Sequence, residues 1–136
     1  MEGTPTMTYK ILGPLIACAM LVPPGPLWAH HSLRAVYDVT RTVTLTGTLT
    51  DVDWRNPHVE LALDVESGRG QLEAWVIKGA SPGFFWESTI GKDQFLENIG
   101  KTVTVEAYPG RDGTQVGGLL KITFPDGASV DIQPCC

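Results

Sequence analysis

The sequence predicts an all-β fold: a small OB-like barrel of five to six strands, with a short helical insertion between strands three and four. Three observations carry this. Apolar and polar residues alternate with a period of two in one segment after another. Fifteen Gly and ten Pro punctuate only 136 residues, which favours turns and strands over long helices. The breaks also fall so that three strands precede one helical stretch and two or three strands follow it, the order of an OB-type barrel. A β-sandwich of the same strands is the alternative.

From Thr42 to Thr50 the alternation is strict. Val43, Leu45, Gly47 and Leu49 take one face, and five threonines take the other. The apolar set then slips phase to Val52 and Trp54, which predicts a bulge, and Gly47 predicts a bend or a close backbone approach. Asn56-Pro57 turns the chain. Val59, Leu61, Leu63 and Val65 alternate with His58, Glu60, Ala62 and Asp64 in a second strand, and Ser67–Gly70 leads into a third from Gln71 to Lys78. Ser81 before Pro82 signals a helix start. Phe84, Phe85 and Trp86 are expected to plug one end of the barrel. Lys92 to Ile99 reads as a second helical piece closed by Gly100. A fourth strand follows at Thr102–Tyr108, a fifth at Leu119–Phe124 and a short last one through Ile132. The expected core comprises Val43, Leu45, Leu49, Val59, Leu61, Leu63, Val103, Val105, Leu120 and Ile122.

Four segments are expected: a signal peptide at 1–29, an N-terminal arm at 30–41, the barrel at 42–132 and a tail at 133–136. Lys10 precedes an apolar run from Ile11 to Val22, which as a helix would be about 18 Å long, too short for a hydrocarbon core of about 30 Å. Pro23, Pro24, Gly25 and Pro26 stop it, and Ala29 is a small residue before His30. Those are the parts of a secretory signal. Cleavage after Ala29 is favoured. A lipobox-like reading of Leu15-Ile16-Ala17-Cys18 would instead anchor the chain by lipid on Cys18. No integral membrane span is expected after processing. Adjacent Cys135 and Cys136 make neither a disulfide framework nor a zinc pattern. The chain carries a formal charge of −5, and this argues against a nucleic-acid partner, which needs clustered cations. The sequence points to no protein partner.

Ala29-His30-His31-Ser32, Tyr37-Asp38, Val43-Thr44-Leu45-Thr46-Gly47-Thr48, Asp53-Trp54 and Asn56-Pro57-His58 together resemble a family of small exported bacterial proteins of unknown function. In that family a signal peptide ends at His-His-Ser, and a Trp-x-Asn-Pro-His motif follows a Leu-x-Gly-x strand. Gly79-Ala80-Ser81-Pro82 and Phe124-Pro125-Asp126-Gly127 fit as well. The resemblance implies a periplasmic or secreted Gram-negative protein and implies no activity.

The candidate chemistry lies in three histidines. Cleavage after Ala29 would give His30 a free amine, which with its ring Nδ1 chelates one metal. A ring nitrogen from elsewhere, His58 being the candidate, completes a T-shaped three-nitrogen site, with His31 beside it. That donor set suits Cu(II), and a three-histidine zinc site is the second choice. The bland alternative has His30 and His31 free in a loose terminus and His58 bonded to its own turn. No nucleophile elbow is present. Asp51 and Asp53 share a strand face unless the bulge separates them, and Glu60 and Asp64 read as a solvated face. A binding protein is expected rather than an enzyme. Its metal-free form would use an aromatic surface around Trp54 and Trp86, or the threonine face of the first strand.

Overall fold

The computed structural model describes residues 1, 3 and 33–132. The expected cleavage junction, Cys18, His30, His31, Cys135 and Cys136 lie outside them. Six strands form: β1 Val43–Trp54, β2 Val59–Glu66, β3 Leu72–Lys78, β4 Thr102–Pro109, β5 Val116–Thr123 and β6 Ser129–Asp131. β1 pairs antiparallel with both β2 and β4, β2 with β3, and β4 with β5. A parallel pairing of β3 with β5 closes the ring, and β6 is added to the far half of β5. This is a closed five-stranded barrel with one extra strand, as the element order predicts. The sandwich alternative fails because no sheet edge separates β3 from β5.

β1 serves two parts of the ring by bending. Its first half pairs with β4, its second half with β2, and the register shifts between Leu49 and Asp51. The extra residue, Thr50, lets Leu45 and Leu49 point inward before the bulge and Val52 after it. At Gly47 the β2 backbone comes so close that a Cβ would stand 2.4 Å from the Asp64 carbonyl oxygen. Only glycine fits this crossing. β2 then alternates cleanly, with Val59, Leu61, Leu63 and Val65 buried and the residues between them turned outward. These side chains, with Ile77, Val103, Val105, Leu119 and Ile122, fill the interior.

Five expectations need correction, the first being that Leu120 is only half-buried and Leu119 takes the inward place in the core. β5 begins at Val116, not Leu119, because Gly117 and Gly118 belong to it and glycine carries no strand signal of its own. Ser81 occupies the N-cap of the 3-10 turn Pro82–Glu87, but its hydroxyl makes no capping bond. The second helical piece is shorter than expected, Lys92–Leu96, and the chain then turns to Gly100 at φ +86°. Finally, Phe84, Phe85 and Trp86 do not plug the barrel together. Three residues per 3-10 turn set successive side chains about 120° apart, and only Phe85 points inward. It meets Trp54 at 4.9 Å and Phe95 at 5.5 Å between ring centroids, and Phe95 meets Phe124 at 5.2 Å. That cluster is the plug. Among the described residues no helix is long and apolar enough to cross a membrane.

The core can be tested by contrast. Leu61 is fully buried and Leu72, one strand away, is 72% exposed. In urea unfolding, Leu61→Ala should cost about 2–5 kcal/mol. Leu72→Ala should stay within about 0.5 kcal/mol of the unsubstituted chain.

Candidate functional site

Because aliphatic side chains fill the interior, the chemistry-bearing residues sit outside. His58 stands just before β2, after the cis Asn56–Pro57 bond. It is exposed and forms no hydrogen bond with another described residue. The turn is held without it: the Val59 N–H donates to the Ala80 carbonyl at 2.9 Å, and the Gly79 N–H donates to the Val59 carbonyl at 2.8 Å.

Carboxylates surround that end of the outer face. The bulge precedes Asp51, so Asp51 and Asp53 stay on one face, opposite Ala62 and Glu60 in the β2 register. Asp53 and Glu60 are direct cross-strand neighbours of like charge, and each has its own cation. The Arg55 guanidinium donates to both oxygens of Asp53. Lys78 Nζ lies 2.9 Å from Glu60 Oε1. The hydrogen bond from Arg55 holds the Asp53 carboxyl below the usual aspartate value, and the bond to Glu60 raises Lys78. Among the described residues no three His, Cys, Asp or Glu side chains gather into a metal-binding group. A three-nitrogen centre at His58 would therefore take its other donors from residues outside 33–132.

The arm is docked. Leu33–Val36 forms one helical turn, closed by the Tyr37 N–H donating to the Leu33 carbonyl at 2.8 Å. Tyr37 then bridges to Gly110 and is only 7% exposed. The Asp38 N–H donates to the Pro109 carbonyl, and the Arg111 N–H to the Val36 carbonyl, both at 2.9 Å. The Arg111 guanidinium reaches across to the carbonyls of Arg34 and Tyr37. The Tyr37 ring lies on Gly118, whose Cβ position would be 3.3 Å from the ring. Burial raises the phenol's pKa, Lys78 opposes that, and Glu60 adds to it. Tyr37 is the apolar anchor of the arm, while Val36 is exposed and Leu33 half-buried. The hold of Arg111 and the seat on Gly118 were not anticipated from the sequence. The Gly117-Gly118 doublet was the available signal, since paired glycines in a strand mark close approaches.

The two tryptophans proposed as a ligand surface have different environments. Trp54 is half-buried against Phe85 and Phe95. Trp86 is 87% exposed and stands outside that cluster. The threonine face is real: Thr44, Thr46 and Thr50 are exposed, and Thr46 Oγ1 lies 3.2 Å from Thr104 Oγ1 on β4.

A family model described as a family of unknown function (DUF6152) matches residues 19–120, most of the chain. No curated protein matches it, and neither does a solved structure.

The exposed carboxylates give a pH prediction. Asp38, bonded mainly by the Thr40 hydroxyl, Asp53, bonded by Arg55, and Asp112, bonded mainly by the Thr114 hydroxyl, all fall below the ordinary 3.8. A depressed carboxylate contributes stability above the unfolded value, and that contribution is lost as the pH falls through the folded value. Carboxyl 13C titration should therefore place all three midpoints below 3.8, and Asp38→Asn should lower the melting temperature at pH 7 more than at pH 3.

Proposed function

The chain belongs to this family of unknown function, and from that premise we propose that it is an exported binding protein that holds copper through His30, His31 and His58. The observation carrying this reading is the state of His58. A histidine kept for structure would bond its own turn, yet this imidazole is exposed and takes no part in the hydrogen bonds that hold the turn. With the chain cut after Ala29, the amine and ring of His30 would chelate the metal and His58 would add a third nitrogen. Cu(II) is the ion that this donor set prefers, with zinc second.

A metal-free module is the second reading, favoured by Trp86. One indole left 87% exposed on a short turn suits stacking on a planar or sugar-like ligand. The two readings separate in one titration.

Two measurements test the proposal. Protein from the exported fraction should have the intact mass of residues 30–136. A mass retaining residues 1–29, or a lipid on Cys18, leaves no free amine at His30 and removes the chelate. Copper titration of the recovered protein should give an affinity above that of a synthetic peptide of its first residues, and His58→Ala should weaken it at least tenfold, about 1.4 kcal/mol. Equal affinities for peptide, variant and protein would leave the module reading.

A further inference from the structure

Half of one edge of β3 is left over by the closure of the barrel. Toward β2 the strand is paired over its whole length, Leu72–Lys78, without a bulge. On its other side only Val76, Ile77 and Lys78 meet β5. The Val76 N–H donates to the Gln115 carbonyl at 3.0 Å, away from β2. Backbone groups alternate sides along a paired strand, so the N–H and C=O of Leu72 and Ala74 point the same way as those of Val76. There β5 has not yet begun, and among the described residues neither Leu72 nor Ala74 has a backbone partner on that side. Their side chains form an outward strip with Val76: Leu72 is 72% exposed, Val76 is 38% exposed, and Ala74 between them is exposed.

Strand edges are commonly blunted by a lysine, a proline, a bulge or an inward charge. Leu72–Trp75 has only the last, Glu73, half-buried on the face it shares with Trp75 and Ile77. Across β2, Leu72 and Ala74 stand beside Glu66 and Asp64. None of these three carboxylates forms an ion pair among the described residues, and Arg69 on the intervening turn pairs with none of them. The charges decide between occupants. A second copy using the same four backbone groups would set Leu72 against Ala74 about a twofold axis through Glu73. The two Glu73 carboxylates would then be directly opposite one another, which is destabilising.

We propose that the Leu72–Trp75 edge of β3 receives an extended segment of another protein by antiparallel strand addition, a segment that sets a Lys or Arg between two apolar residues. The two apolar residues exchange main-chain hydrogen bonds with Leu72 and Ala74, and their side chains cover the exposed strip. The cation falls opposite Glu73 in a non-hydrogen-bonded pair, where cross-strand side chains come closest. Asp64 and Glu66 add to the same preference for a basic segment. This interaction is independent of the histidine reading, because it uses none of the three histidines.

The test titrates the 15N-labelled full chain with a blocked heptapeptide of alternating valine and lysine, the affinity being read from amide shifts. The Leu72 and Ala74 amides should shift and gain protection from hydrogen exchange. The same peptide with its valine nitrogens methylated, which removes the donors to the edge, should bind at least tenfold more weakly. So should a peptide of alternating valine and glutamate. Glu73→Gln should weaken the lysine peptide, and Glu73→Lys should reverse the preference so that the glutamate peptide binds more tightly. Equal affinities for methylated and unmethylated peptides, or shifts that pass over Leu72 and Ala74, would overturn the strand addition, and both are read on the unsubstituted protein. Equal affinities for the lysine and glutamate peptides would overturn the choice of a basic partner. A dimer in sedimentation, with the Leu72 and Ala74 amides protected before any peptide is added, would assign the edge to a second copy and overturn the proposal.

Discussion

The barrel closes along three residues. Val76, Ile77 and Lys78 of β3 lie parallel to Val116, Gly117 and Gly118 of β5, and no other pairing joins the β1-β2-β3 half of the sheet to β4 and β5 around the back. Two glycines make that seam possible, each on its own side. A Cβ on Gly117 would stand 2.8 Å from Ile77 Cδ1 and 3.0 Å from the Ala107 Cβ, so any side chain there would push into the core. A Cβ on Gly118 would meet the Tyr37 ring on the outside. One glycine lets the interior pack to the density of a protein core. The other leaves the notch in which the arm is held. Closure of the barrel and the seat of the Tyr37 ring thus share one seam.

The same economy holds across the ring, where β1 must serve β4 with its first half and β2 with its second. A straight strand could not do both. Gly47 lets the β2 backbone come close, and the extra residue at Thr50 restores the inward phase for Val52 and Trp54. That phase puts Trp54 against Phe85 and Phe95, so the aromatic plug depends on the bulge. Asp51 and Asp53 turn outward for the same reason.

Function follows from what this leaves uncovered. An eight-stranded barrel can hold one small ligand inside, whereas here the interior is filled by Leu49, Leu61, Leu63, Ile77 and their apolar neighbours, with Phe95 and Phe85 at one end. Chemistry is pushed to the outer face, where the polar residues of alternating strands stand in rows. One row joins Gly118, Lys78 and Glu60, with the Tyr37 ring lying on Gly118. The acidic pair Asp53 and Glu60 is tolerated because Arg55 and Lys78 neutralise the two carboxylates separately, each exposed ion pair adding little stability of its own.

Period-two alternation by itself determined the inward faces of β1, β2 and β4 and the bulge after Leu49, because which side of a strand is apolar is a local property of the chain; in β5 it pointed to Leu120, where Leu119 is the buried residue. The element order determined the barrel class for the same reason. The extent of β5 was not legible, since Gly117 and Gly118 signal a strand only through the neighbours that crowd them. Nor was the fate of the aromatic run: Phe84, Phe85 and Trp86 are equally apolar in sequence, and only the 3-10 geometry against the barrel end chose Phe85 to go in. The three histidines could be named from the sequence as possible partners. That the Tyr37 ring seats on Gly118 depended on β3 meeting β5, a contact between residues some forty positions apart. Local pattern decides which way a side chain points, while ring closure decides which residues become neighbours.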